Sequence, residues 1–317
     1  MNEPARREYR TWTLDSRRWD GYVPTPGDII IATAPKCGTT WMQQIVSSLI
    51  FQDAIPRALP AISPWIDQRF RTPAAEMFAT VAAQSHRRFL KSHLPVDGLP
   101  IHDEVRYIHV ARDGRDALMS MHNHFTGFSD ATMEQLDRCG LTDPSIARPY
   151  PRLPADPAAF FRLWMSAPCI AGQSDGMTGP SFFDLEVGYW AARRRPNFLL
   201  VHFNDLRADL DGEMRRIAAF LQIDVNQDIW PDLMGAAGFA AMQKAGETLM
   251  PHTRTMFRDG GAQRFFNKGT NGRWRDVLTD ADLALYDAKI REKFSPGLAA
   301  WLEGGRRAAG DPRERSD

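Results

Sequence analysis

A three-layer α/β fold, with a central parallel sheet flanked by helices and carrying a variable lid, is what this 317-residue sequence predicts. Three observations lead there. Short apolar runs alternate with segments of helical periodicity. Each run ends in polar or basic residues, which in a parallel sheet collect along one carboxyl edge where ligands bind. The first run also passes through a tight turn, APKCGTT, directly into a helix.

That first stretch organises the chain. Residues 29–31 form a buried strand, and the apolar segment 41–51 is helical. Strand, Gly-containing turn and helix start point backbone N–H groups and a helix dipole at an anion. Lys36 adds a positive charge. Thr39 and Thr40 place hydroxyls beside the unpaired amides, and either suits the N-cap. The turn is P-loop-like without being a Walker loop. A Walker loop needs Gly, four residues and Gly-Lys-Ser/Thr. Aligning Gly38 with the second Gly puts Thr33 at the leading Gly and Thr39 at the lysine, so the basic group comes from the other end of the turn. The ligand read from these residues is a phosphate or sulfate group.

The rest of the sheet follows in order. The aromatics Trp12, Trp19 and Tyr22 staple an N-terminal arm, residues 1–27, onto the domain. The Pro-rich connection 52–73 contains SPWIDQRF, where Trp65 and Phe70 either line an acceptor pocket or pack the loop. Residues 88–92 form a second strand, with Lys91 and His93 at its carboxyl end. Residues 105–111 form a third, followed by Arg112 and a helix over 116–125. The weakly periodic stretch 126–180 reads as a lid or acceptor-binding insertion. A helix over 182–195 leads to the fourth strand, 197–203. Helices at 210–221 and 236–244, a loop at 250–275, and helices at 280–294 and 297–303 complete the chain. The Gly/Arg/Asp-rich residues 305–317 form a flexible tail.

Composition narrows the function. Formal net charge is zero, with 39 basic and 39 acidic residues, so nucleic acid is not the expected partner. The three cysteines, Cys37, Cys139 and Cys169, are widely spaced and show no CxxC or Cys/His pattern, so neither a disulfide framework nor a metal site is expected. The charged start MNEPARREYR lacks an apolar signal region, and no run reaches the ~20 apolar residues of a membrane span. A cytoplasmic location is expected.

The order PK-C-GTTW, with KSHLP (residues 91–95) and ARDGRDALMS (residues 111–120), closely resembles the sulfotransferases that use 3′-phosphoadenosine 5′-phosphosulfate (PAPS). Their hallmark stretches are PKSGTTW, K-T/S-H-L-P, R-N/D-x-x-D-x-x-x-S and a late R-K-G-x-x-G-D-W. The likeness spans residues 28–279. SPWIDQRF and LAAWLEGGRR are most similar to bacterial members that sulfate glycolipids or aromatic compounds. The resemblance makes residues 28–304 one sulfotransferase domain. It implies sulfuryl transfer from PAPS to a lipid-like or aromatic hydroxyl, releasing 3′,5′-ADP (PAP), without a metal. A lipid acceptor would bring peripheral membrane contact. The K-T-V-E type dimer motif of animal members is absent, which leaves the oligomeric state open.

The same resemblance implies residue roles. Lys36 contacts the sulfuryl group and the leaving 5′-phosphate, which Gly38, Thr39 and Thr40 bind, and Cys37 takes the family's Ser position. Trp41 stacks on adenine. His93 is the general base, and Lys91 assists at the sulfuryl site. Arg112 and Ser120 hold the 3′-phosphate. Phe203 stands at the adenine-contacting tyrosine, and Phe239 follows two positions, Ala237 and Gly238, where the family carries hydroxyls. In the late segment Lys268 and Gly269 match, whereas Asn267 replaces the family's Arg and Arg273 its Asp; Arg264 and Arg273 are the candidates to compensate. Bland readings exist for Trp41 as a core residue, Ser120 as a back-bonded helix serine and Cys37 as a low-pKa thiol. His122 and His124 are candidates to face the acceptor. Two other activities fit the loop: a nucleoside or nucleotide kinase with a degenerate P-loop, and a catalytically inactive PAP-binding regulator.

Overall fold

The structure, a computed structural model, describes residues 6–317. The first five residues of the expected N-terminal arm lie outside it. Four strands form one parallel sheet: β1 (Ile29–Ala32), β2 (Phe89–Ser92), β3 (Arg106–Ala111) and β4 (Phe198–His202), in the order β2-β1-β3-β4. The chain leaves β1 toward one neighbour and returns to the other, so the crevice at the carboxyl edge opens beside β1. Register aligns the strand ends: Ala32 pairs with Ser92 and His109, and Ala111 with His202.

Strand alternation divides the core between the two faces. Ile29, Ile31, Phe89, Ile108 and Val201 pack on one side with Met42, Ile45, Val46 and Leu49 of α1 (Thr39–Phe51). Ile30, Leu90, Tyr107 and Leu200 pack on the other with Phe160, Phe161 and Tyr189. These come from helices Pro157–Ser166 and Phe182–Ala192. A third cluster joins Trp12 of the arm, Phe128, Leu136 and Tyr150 of the 126–180 stretch, and Met256 and Phe257 of the late segment. Each strand is buried on both faces, which explains why the sequence shows continuous apolar runs there.

The arm is held by its aromatics: the Trp12 indole donates to the Arg148 carbonyl at 3.0 Å, Trp19 to Asp67 at 3.2 Å, and the Tyr22 hydroxyl to Asp28 at 2.7 Å. Several expected boundaries differ. Phe203 opens a helix, Phe203–Ala208, rather than closing β4. The expected helix 236–244 is two helices, Trp230–Ala237 and Phe239–Lys244, because Gly238 between them takes an extended conformation. The expected loop 250–275 carries helices Thr253–Met256 and Gly261–Phe266. Residues 305–317, where composition suggests fraying, form the helix Arg306–Ala309, and the Arg193 guanidinium donates to the Pro312 carbonyl at 2.9 Å. Among the described residues no helix is long and apolar enough to cross a membrane.

Candidate active site

Four residues that immediately follow the four strands define the site: Thr33, His93, Arg112 and Phe203. His93, Arg112 and Phe203 line a cavity of about 600 Å³ that runs from the carboxyl edge of the sheet into the aromatic third cluster.

The turn after β1 is shaped by two positive φ values, Lys36 at 67° and Gly38 at 119°. A β-carbon at Gly38 would stand 3.2 Å from Val110 and 3.3 Å from the Phe203 ring, so glycine serves both conformation and space. Lys36 adopts the left-handed region without that freedom, a strain of about 1–3 kcal/mol typical of functional turns. Gly38, rather than Thr39 or Thr40, is the N-cap of α1, and no side chain caps the helix. The Thr39 hydroxyl instead lies 2.5 Å from that of Thr33. The first amides of α1 therefore have no side-chain acceptor, and the dipole end faces the cavity lined by Gly38, Thr39, Thr40 and Trp41.

Lys36 Nζ sits 4.5 Å from the centre of the Phe265 ring. Desolvation, reinforced by Lys91, Arg112 and Arg273, pulls its pKa down to about 7. Lys91 Nζ lies 4.6 Å from the Trp65 ring and is pulled to about 8, chiefly by desolvation. Such depressed lysines mark a site built to receive negative charge.

His93 is 7% exposed, and its Nδ1 lies 2.8 Å from the Thr33 carbonyl. A carbonyl only accepts, so Nδ1 carries the proton and Nε2 keeps its lone pair. Trp65 meets the ring edge-on at 4.9 Å. Burial, with Lys91 and Lys36 nearby, pushes His93 well below the usual imidazole range, so it is held neutral. Behind it the buried Asp67 accepts the His93 backbone N–H at 3.1 Å and the Trp65 indole at 2.6 Å. Asp67 lies within SPWIDQRF, but sequence reasoning missed it because its ligands are spread over three segments.

Arg112 is 4% exposed and nearly saturated on one side: Nη2 donates to Asn271 Oδ1 at 2.7 Å and to the Thr270 carbonyl at 3.0 Å, Nη1 to the Lys36 carbonyl at 3.3 Å. Its guanidinium lies 4.1 Å from the Phe203 ring. The Trp41 indole donates to the Ala237 carbonyl at 2.8 Å and stands edge-on to Phe203 at 5.4 Å and to Phe239 at 6.5 Å. Ser120, Asn267 and Gly269 also line the cavity. A β-carbon at Gly269 would stand 2.5 Å from Phe239, so this backbone passes too close for any side chain.

Two expected site residues stand apart. The Lys268 side chain is exposed and outside the cavity lining, because the positive φ of Asn267 (40°) and Gly269 (61°) turns the intervening residue outward. The Cys37 side chain belongs to the core, and burial pushes its thiol well above the ordinary value, against the low-pKa reading. Of the two compensating candidates, Arg264 is committed to Asp259 at 2.7 Å and the Asn123 carbonyl at 3.1 Å. Arg273 lines the cavity, and its Nε is buried without a hydrogen-bond partner. Of the two histidines, His124 lines the cavity, while His122 bonds the Ala155 carbonyl at 2.9 Å and lies outside it.

The comparisons with known proteins show the family. A family model described as a sulfotransferase domain matches residues 26–296. The chain is 36% identical over 313 residues to a glycolipid sulfotransferase of Mycobacterium tuberculosis, covering 94% of each. It is 24% identical to sulfotransferase 1B1 of Mus musculus, covering 90% of this chain and 88% of that one. Retinol dehydratase in complex with androsterone and the inactive cofactor PAP superposes with a TM-score of 0.67 at 21% identity, covering 87% and 83% of the chains. Mouse SULT7A1 complexed with PAP superposes at 0.66 and 19% identity, covering 92% and 93%, so the fold is shared with both. With the family model over residues 26–296 and a relative 36% identical over nearly the whole length, the chain is a member of the sulfotransferase family and a sulfotransferase enzyme.

Proposed function

We propose that this enzyme transfers a sulfuryl group from PAPS to the hydroxyl of a lipid-like or aromatic acceptor, with His93 as general base and Lys36 countering charge on the leaving phosphate. The observation that carries it is the placement of Lys36, His93 and Arg112 just beyond three neighbouring strand ends around one cavity. The mycobacterial relative named for glycolipids supports the acceptor class.

The residues present fit the nucleotide. The loop amides and Lys36 suit a 5′-phosphate, with Arg112, Ser120 and the free Arg273 Nε suited to a 3′-phosphate. Trp41, Phe203, Phe239 and the close backbone of Gly269 form an apolar slot for a flat base. Arg273 then replaces the charge missing at Asn267. When bound, PAPS supplies the sulfuryl group and leaves as 3′,5′-ADP.

His93 accepts the acceptor's hydroxyl proton at Nε2, and the Thr33 carbonyl holds the ring in the tautomer that permits it. Because Thr33 follows directly on the strand that launches the loop, base and phosphate cradle share one backbone. Lys36 and the α1 amides lie preorganised where negative charge develops on the leaving oxygen. Anionic charge between the lysines and His93 raises all three pKa values, restoring the lysine cations and making the imidazole a better base. Lys91 supplies a second cation beside His93.

Incubation with labelled PAPS and a panel of alcohols and phenols tests this reading. Sulfated product together with 3′,5′-ADP is expected; ATP turnover without sulfation would support a kinase, and tight 3′,5′-ADP binding without any product a regulator.

A further inference from the structure

Among the described residues five lysines and arginines line the cavity, Lys36, Arg71, Lys91, Arg112 and Arg273, against a single carboxylate, Glu76, which is exposed. Four of the five belong to the nucleotide and transfer end described above. Arg71 does not. It comes from the connection 63–73, beyond Trp65 and Phe70 as seen from His93, by successive ring contacts of 4.9 Å (His93 to Trp65) and 6.1 Å (Trp65 to Phe70).

The Arg71 guanidinium lies 5.2 Å from the centre of the Phe70 ring and makes no hydrogen bond or ion pair among the described residues. Its neighbour Arg69 shows what a satisfied arginine looks like in the same loop, donating to Asp143 at 2.6 Å and to the Thr11 carbonyl at 3.1 Å. Burial pulls Arg71 down to about 10, and no acidic group counters the effect. Its field reaches Lys91, His124 and His252, each of which it pushes downward. Arg71 is half-buried on the cavity wall with no carboxylate beside it, which leaves its guanidinium free to pair with an anionic ligand. The same cavity is lined by the apolar Phe125, Phe128, Met250 and Met256, and among the described residues the His124 Nδ1 is buried without a partner.

We propose that Arg71 forms an anion-binding end of the acceptor site, so that the preferred acceptor is a hydroxy acid: a hydroxyl at His93, an apolar body against Trp65 and Phe70, and an acidic group on Arg71. A planar guanidinium pairs a carboxylate through two parallel N–H donors, which selects charge and orientation together. The proposal rests on the sulfuryl-transfer reading and narrows its substrate class.

Two acid and ester pairs test it: 12-hydroxydodecanoate and 3-(4-hydroxyphenyl)propanoate, each beside its methyl ester, which removes the charge and little else. With labelled PAPS, kcat/KM for at least one acid is expected to exceed that of its ester by about tenfold or more. In Arg71→Gln that ratio falls to about one, and Arg71→Lys restores part of it. Calorimetric binding of the same acids to the 3′,5′-ADP complex reads the site without turnover. Arg71-dependent acid binding with no sulfation would sink the sulfuryl-transfer reading and leave the anionic subsite standing. Esters equal to acids in both measurements, or Arg71→Gln weakening acid and ester alike, would overturn the proposal. So would a loss of 3′,5′-ADP affinity as large as the loss for the acid, since Arg71 would then serve the nucleotide.

Discussion

The two ends of the cavity are built on different principles. At the nucleotide end the groups that directly follow strands are held largely by backbone atoms: the Thr33 carbonyl on His93, and the Lys36 and Thr270 carbonyls on Arg112. At the acceptor end the walls come from the arm, the connection 63–73, the 126–180 stretch and the late segment, joined by side-chain packing in the third cluster. A site made of backbone and strand ends is rigid and holds one ligand geometry. A site made of side chains on irregular segments can be reshaped one residue at a time, which suits acceptors that differ among relatives.

The largest test of that contrast removes the group where the two ends meet. His93→Ala is expected to lower kcat by about 10²–10⁴-fold, the usual range for a positioned base. The affinity for 3′,5′-ADP, measured by calorimetry, should change by less than about threefold. A near-normal turnover number would remove His93 from the chemistry, and a parallel loss of nucleotide affinity would show that the ends are not separable.

Next comes pH. Lys36 at about 7 and Lys91 at about 8 bind an anion in their protonated forms. Each is charged below its value and loses charge above it, so 3′,5′-ADP affinity is full on the acid side of 7 and falls as pH rises through 7 and 8. Binding must then bring in a proton, at up to a factor of ten per pH unit for each lysine. About a tenfold to hundredfold loss between pH 7 and pH 9 is expected from titrations at constant ionic strength. His93, held well below the usual imidazole range, is already neutral across that window and contributes nothing to the slope. A flat profile would show that the lysines keep their charge by other means.

How much of this was legible in the sequence follows the same division. The residues at strand ends, Lys36, His93, Arg112 and Phe203, could be placed because a buried parallel strand announces itself as an apolar run and its ligand-facing residue comes next. The late segment was half legible. Gly269 shows as a glycine, but that Lys268 points outward and Arg273 inward depends on the positive φ values at 267 and 269, which no side-chain pattern encodes. Asp67 and Arg71 were not legible, since the importance of each lies in what reaches it from other segments, or fails to. The tail misled for a related reason: its arginines and glycines look solvated, but its backbone carbonyls accept from Arg193.

Arg112 and Arg273 divide the nucleotide end further. Arg112→Ala should weaken 3′,5′-ADP by about tenfold or more and 5′-AMP far less, because a charge-assisted contact to one phosphate is lost. Arg273→Ala should show the same selectivity if its unpartnered Nε serves the 3′-phosphate. Equal losses for both nucleotides in either variant would place that arginine elsewhere on the ligand.

The smallest expected effect is the most discriminating between scaffold and contact. Phe203 begins a helix at the end of β4, with its ring 5.4 Å edge-on from Trp41 and 4.1 Å from the Arg112 guanidinium. Phe203→Leu keeps an apolar side chain of adequate volume and removes the ring face. A cation–π contact contributes about 0.5–1 kcal/mol at ordinary sites and more when desolvated. The variant should therefore lose about threefold to tenfold in 3′,5′-ADP affinity, with kcat at saturating PAPS nearly unchanged. If kcat falls instead while affinity holds, the ring positions the reaction centre rather than the nucleotide. The aromatic slot would then belong to the transfer chemistry, and the boundary between the two ends would move from His93 to Arg112.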